Sequence, residues 1–344
     1  MKALFVGLGS IGQRHLRNLK MLLPDIEILA FRKSRKAPIL DDRNNPIENH
    51  DFAKHYNIKE YFSLKEALIQ KPEMVFVTNP SKFHAETVIA AMEARAFVFV
   101  EKPFSCDIES AKKIINLEKK LGKKLCMVGF QYRYSPTMNK LKNIIENKTI
   151  GNLINGQMAN GEYLPYWHPY EDYRKSYASL KKLGGGALLS QIHDFDYSIY
   201  LFGMPKCIYA IGGKLSGLDI DVEDSVNIAA TFNYKNSILP INMSLDYISW
   251  PSRRYINLYG ENGSIYCDLN ASTISVHIRE KEEIYNHDFS SINRNEIFIK
   301  ELQNFISFVE GKDKPKVDIM EGMKSLEFAL AAKTSLKKGI PLFI

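Results

Sequence analysis

Gly7, Gly9 and Gly12, in Gly7-Leu8-Gly9-Ser10-Ile11-Gly12, follow directly on the apolar run Ala3-Leu4-Phe5-Val6. A Gly-x-Gly-x-x-Gly where a first strand hands over to a first helix suits a pyrophosphate. The first glycine permits a tight turn, the second lets backbone approach the phosphates, and the third lets helix and strand pack closely. Free N–H groups at the helix start, those of Ser10 and Ile11 among them, then face the negative charge. This is a dinucleotide site. The end of the second expected strand, residues 26–31, discriminates between dinucleotides. A carboxylate there, ~20 residues beyond the glycines, would bond both ribose hydroxyls of NAD. The chain instead has Arg32, followed by Lys33, Ser34, Arg35 and Lys36. Guanidinium and hydroxyl groups attract the 2′-phosphate that a carboxylate would repel. NADP is the expected cofactor, with NAD as the alternative.

Ligands of an open α/β sheet bind beyond the carboxyl ends of its strands. Asn79-Pro80, Glu101-Lys102-Pro103 and Gln131-Tyr132-Arg133 are expected there. A lysine such as Lys102, beside a nicotinamide, can hydrogen-bond the reacting oxygen and polarise a carbonyl or help deprotonate an alcohol. The plainer alternative is a surface lysine paired with Glu101. His193 follows the triple glycine Gly184-Gly185-Gly186 on an expected helix, and Asp196 at i+3 shares its face, so the two could act together. No second histidine stands at ligand spacing from His193, and no metal is expected. The stretch from Tyr163 to Tyr177, with Trp167, His168, Tyr173 and Arg174, interleaves aromatic and basic residues. Its rings could stack on a sugar while Arg174 and Lys175 hold a phosphate or carboxylate. The same composition also suits a packing or subunit surface.

These residues need a scaffold, and 344 residues imply two domains. Residues 1–130 alternate strands and helices, the pattern of a parallel sheet with crossover helices. Past 130 the texture changes. Helix 137–146 and a turn at Ile150-Gly151 lead into a long aromatic loop. One helix is expected over 187–202, then six strands between 208 and 278, then helices over 295–310 and 319–336. The fold class is α/β: an N-terminal Rossmann doubly wound parallel sheet plus a C-terminal α+β domain with an open, mostly antiparallel sheet. The expected division is 1–130 for the dinucleotide, 131–315 for substrate and oligomerisation, and 316–344 as a helix and tail packing back between them.

Composition narrows the partners. Net charge is +7 without a long basic run or a nucleic-acid module, which favours anionic small molecules over DNA or RNA. Cys106, Cys126, Cys207 and Cys267 are too widely spaced for a local metal knuckle and read as reduced thiols of a cytosolic protein. With no apolar run near ~18 residues and a strand at the N-terminus, a soluble cytoplasmic protein without a membrane partner is expected.

The order of these motifs, above all Glu101-Lys102-Pro103 with Gly129-Phe130-Gln131-Tyr132-Arg133-Tyr134-Ser135-Pro136 and the triple-glycine-to-His193 segment, resembles the Gfo/Idh/MocA family, the glucose–fructose oxidoreductase and inositol dehydrogenase group. The likeness covers nearly the whole chain. It implies that Lys102 is catalytic, that the bond before Pro103 is cis, and that His193 touches the reacting hydroxyl or carbonyl. It also implies that Asn79, Pro80, His84, Glu101 and Gln131 join the cofactor site, and that the second sheet's outer face supports a homodimer or homotetramer. One departure stands out. Many members have an aspartate four residues before the histidine, and here that position is Leu189. Lys102 and His193 must then act without it, aided by Tyr163 or a water. The aromatic loop resembles a subgroup found with surface-polysaccharide and unusual-sugar biosynthesis. The implied activity is hydride transfer between NAD(P) and a carbon of a sugar or amino sugar, phosphorylated or nucleotide-linked. The alternatives are a non-carbohydrate substrate, such as a dihydrodiol or imine, and a catalytically silent NADP-binding sensor.

Overall fold

The structure is a computed structural model that describes residues 1–32, 38–41, 44–47, 51–235, 237–280 and 282–344. Lys33 and Ser34, expected at the cofactor, lie outside the described residues with Arg35 and Lys36.

Short apolar runs form β1 (Lys2–Val6), β2 (Glu27–Phe31), β6 (Met74–Val77), β7 (Phe97–Glu101) and β8 (Cys126–Gly129), and the mixed run Ile-Lys-Glu-Tyr forms β5 (Ile58–Tyr61) at one edge. A small hairpin of β3 (Ile39–Leu40) and β4 (Pro46–Ile47) stands apart. The six pair in parallel in the order β5-β2-β1-β6-β7-β8, with Val6 opposite both Phe31 and Val77. Their near-continuous burial is what helices on both faces of a parallel sheet demand. Crossovers are α1 (Ser10–Leu22), α2 (Phe52–Tyr56), α3 (Leu64–Ile69), α4 (His84–Glu93) and α5 (Ile108–Leu121). Asp51, Ser63 and Asp107 cap three of these by accepting an N–H of the first turn. Strand order reverses between β1 and β6, which opens a crevice above their carboxyl ends.

The second sheet holds β9 (Leu153–Gly161), β10 (Pro205–Gly213), β11 (Ser225–Tyr234), β12 (Ser237–Asp246), β13 (Arg253–Gly260), β14 (Gly263–Asp268), β15 (Thr273–Ile278), β16 (Glu283–Asp288) and β17 (Leu342–Phe343). The order is β16-β15-β14-β13-β9-β12-β11-β10-β17, antiparallel except where β9 runs parallel to β12. One face buries Ile228, Phe232, Ile241, Leu258 and Ile274 against helices. The other exposes Tyr209, Ile211, Ile238, Tyr259 and Tyr266.

Strand β9 corrects the expectation of a loop after Gly151. Its sequence is poor in β-branched residues and has glycine at 156 and 161, yet the slot between β12 and β13 requires that thinness. A Cβ on Gly156 would lie 2.7 Å from Leu258 and 2.8 Å from Ile241. The expected helix 187–202 is also two helices, α7 (Ala187–Ser190) and α8 (His193–Phe202), broken at Gln191-Ile192. The helix α6 (Pro136–Glu146) precedes β9, and α9 (Asn295–Val309) and α10 (Ile319–Lys338) follow β16. Despite its place late in the chain, α9 packs on the first sheet, with Phe305 edge-on to Phe76 and Phe99. The chain entering α10 bonds to β8, where Val128 N donates to Val317 O, and α10 ends against β10, where Ala210 N donates to Ser335 Oγ. The two sheets are thus tied by one helix.

Candidate active site

A cleft of about 540 Å³ sits above the β1–β6 crevice. The glycines at its floor differ in what they meet. Gly7 has φ +94°, and a Cβ there would lie 2.7 Å from Asn79 N; a Cβ on Gly12 would lie 2.6 Å from Gly7 O. Gly9 has nothing within 4 Å of its Cβ position, and it starts α1 without a side-chain cap. Two positions therefore hold the turn tight, while the third leaves open backbone and uncapped N–H groups at a helix start. A dinucleotide pyrophosphate fits that cradle.

Of the residues expected at the site, Gly7, Gly9, Ser10, Ile11, Asn79, Pro80, His84, Glu101, Lys102, Gln131, Trp167, His168 and His193 line the cleft. Lys102 follows β7, and the bond to Pro103 is cis. Lys102 Nζ donates to Ser190 O at 2.8 Å, tying it to the end of α7. Burial strips water from this ammonium and lowers its pKa; Arg254 adds to the effect and Glu101 opposes it. Beside it, Glu101 meets His15 Nε2 at 2.8 Å. Burial alone would raise the Glu101 carboxyl, but the His15 bond and the Lys102 charge hold it below its usual range. His84 spans two strand ends, with Nδ1 2.7 Å from Pro103 O and Nε2 2.7 Å from Asn79 O. Burial pushes its pKa down, and a neutral ring can donate to only one of these carbonyls.

His193 opens α8. It is 6% exposed, its ring lies edge-on to Tyr132 and Phe130, and Nδ1 has no partner among the described residues. Burial, then the charges of Lys102, Arg254 and Arg294, push its pKa well below the usual imidazole value. The ring is neutral, and like the Lys102 amine it can give or take a proton at an oxygen placed in the cleft. Leu189 is buried and supplies no carboxylate. Glu162, just past β9, does line the cleft, and Arg254 Nη2 donates to its Oε1 at 3.2 Å.

Other expected residues lie elsewhere. The Arg32 guanidinium stacks on Phe52 with 3.8 Å to the ring centre, and Nη1 donates to Glu60 Oε1 at 2.5 Å. It does not line the cleft, and its Nη2 is buried without a partner among the described residues. Asp196 is taken by Arg133, whose Nε donates at 2.8 Å, and by Ser325; the buried guanidinium needs that counter-charge, so Asp196 does not join His193 in the cleft. Arg174 forks onto Asp172 at 2.8 and 2.9 Å. Tyr173 accepts from Asp219 N, and Tyr163 packs edge-on against Tyr166. Both tyrosines belong to a small apolar cluster around Leu164 and Tyr247 rather than to the cleft wall. In their place the cleft has Arg14, Glu162, Tyr170, Arg254 and Arg294. Arg14 stands two residues past Gly12 and Tyr170 lies in the aromatic stretch, whereas no local motif marks Glu162, Arg254 and Arg294, because they come from the end of β9, β13 and the lead into α9 and meet only in the fold. Among the described residues no group of His, Cys, Asp and Glu is placed to hold a metal ion, and no helix is long and apolar enough to cross a membrane.

Comparison with known proteins identifies the family. Residues 1–130 match the Gfo/Idh/MocA oxidoreductase family with its NAD-binding Rossmann fold, and residues 138–266 match the Gfo/Idh/MocA C-terminal domain. The myo-inositol 2-dehydrogenase of Thermotoga maritima is 26% identical over 339 residues, 97% of this chain and 95% of that protein. Two solved structures share the fold over 100% of this chain. The myo-inositol 2-dehydrogenase of Lactobacillus plantarum is covered over 99% of its length at 22% identity and TM-score 0.78. The WlbA dehydrogenase of Bordetella pertussis, solved with NADH and UDP-GlcNAcA, is covered over 98% at 20% identity and TM-score 0.79. The chain belongs to the Gfo/Idh/MocA family of NAD(P)-dependent oxidoreductases.

Proposed function

We propose that the protein moves a hydride between NADP(H) and a hydroxyl- or carbonyl-bearing carbon of a sugar or amino sugar, phosphorylated or nucleotide-linked, in unusual-sugar or surface-polysaccharide synthesis. The observation that carries this is the pairing of Lys102, half-buried and bonded to Ser190 O, with a neutral His193 in the cleft that begins at the glycine loop. The relatives named for inositol and the neighbour solved with a UDP-sugar support a carbohydrate substrate. When bound, the dinucleotide supplies or accepts the hydride. Gly7, Gly9 and the start of α1 hold its pyrophosphate, and Trp167 and His168 cover the cleft. Lys102 exchanges the proton of the reacting oxygen, and His193 fixes that oxygen with an uncharged ring nitrogen. The basic run that opens at Arg32 favours the 2′-phosphate of NADP(H). The four cysteines without a disulfide suit a reducing cytoplasm, and the exposed tyrosines of the second sheet suit a homodimer or homotetramer.

The test is cofactor turnover, followed by nicotinamide absorbance, against a panel of inositols, free sugars, sugar phosphates and nucleotide sugars. At least one carbohydrate is expected to be turned over. Turnover of a dihydrodiol or imine with none of the carbohydrates would move the substrate class. Dinucleotide binding without any turnover would make the protein a sensor.

A further inference from the structure

A second cavity, of about 550 Å³, lies beside the dinucleotide cleft. Its walls are the start of α6, the β14–β15 turn at Asn270 and Ala271, and residues 289–294 leading into α9. It borders the first, because Glu162, Arg254 and Arg294 line both. Those three are also the only charged residues among its described lining, so the passage sets two guanidiniums against one carboxylate.

Arg254 is part of the wall. It is 8% exposed, it donates to the Tyr132 hydroxyl and to Glu162 Oε1, and its Nε is buried without a partner. Arg294 is exposed and its side chain makes no hydrogen bond or ion pair with any described residue. A fixed cation with a spare N–H beside an uncommitted one suits a phosphoryl group, whose oxygens match the guanidinium fork. The first cleft must take the dinucleotide and the reacting ring. The second offers a comparable volume beyond the arginines, with Tyr132 and Phe289 as ring surfaces.

We infer that Arg254 and Arg294 bind the diphosphate of a nucleoside-diphosphate sugar, with the sugar in the cleft and the nucleoside in the second cavity. This rests on the carbohydrate reading above, and it supplies the anion site that Arg174, committed to Asp172, does not.

The experiment is calorimetric titration of the full chain, saturated with NADPH, using uridine, thymidine and guanosine diphosphates as probes. One of the three is expected to bind, and Arg294→Ala to weaken it by ~10-fold or more. Ala271→Phe, on an exposed turn, is expected to weaken the same nucleotide by filling the cavity while leaving NADPH affinity unchanged. Nucleotide affinity unchanged in both variants would overturn the inference. Failure of all three nucleotides to bind, while a free sugar or inositol is turned over, would also overturn it and leave the oxidoreductase reading standing. Binding weakened by both variants, in a protein that turns over no carbohydrate, supports the site and removes that reading instead.

Discussion

Lys102 and His193 are displaced in the same direction, each towards its neutral form, because burial and neighbouring cations disfavour a further positive charge. Since His193 is pushed well below ~6.5, its ordinary value, it stays uncharged as pH falls through that range. The profile of kcat/KM is therefore expected to show no bend at the ordinary imidazole pKa. The Lys102 bend is expected below the ordinary lysine value of ~10.4. A bend near ~6.5 that disappears in His193→Gln would contradict this. Arg32 was legible as a basic residue where NAD-binding proteins place a carboxylate, but its partner was not, since Glu60 reaches it only by strand pairing of β2 with β5. Its place at the end of β2 leads to the expectation that Arg32→Ala lowers NADPH affinity ~10-fold, about 1.4 kcal/mol, with NADH affinity little changed. Equal losses for the two cofactors, measured by fluorescence titration, would assign Arg32 to packing alone.

At the scale of elements, five of the six strands of the first sheet could be read, because each is a short continuous apolar run bounded by turn residues, whereas the edge strand β5, Ile-Lys-Glu-Tyr, carries no such run and went unread. Strand β9 could not, because its Gly and Asn residues answer to the crowding of β12 and β13 rather than to any local preference. The break between α7 and α8 was hidden for the opposite reason. Apolar spacing at Leu188, Ile192, Phe195 and Ile199 runs on at helical period through it, and no glycine or proline marks the break. Helix α9 was visible as a helix, but its allegiance to the first sheet was not. Phe305 is fully buried there between Phe76 and Phe99. Phe305→Ala is expected to cost ~3–5 kcal/mol by lost burial and cavity formation, read as a lowered urea midpoint. A change under ~1 kcal/mol would mean that α9 is not a wall of that core.

At the scale of the molecule, the site exists only because two layers meet. Lys102 comes from the end of β7 in the first sheet, while His193, Glu162 and Arg254 come from elements of the second. The Lys102–Ser190 bond crosses that seam, and α10 with its lead-in braces it, Val317 bonding at β8 and Ser335 at β10. Motif order in the chain pointed to both halves, and which residues face each other across the seam became visible only in three dimensions. Binding and chemistry should therefore separate cleanly at Lys102, which lies beyond the pyrophosphate cradle. The measurement is NADPH affinity beside turnover, for Lys102→Met and the unaltered protein, on whichever carbohydrate the panel identifies. Affinity within a few-fold and turnover lower by ~100-fold or more are expected; turnover close to that of the unaltered protein would contradict a role for Lys102 in the reaction.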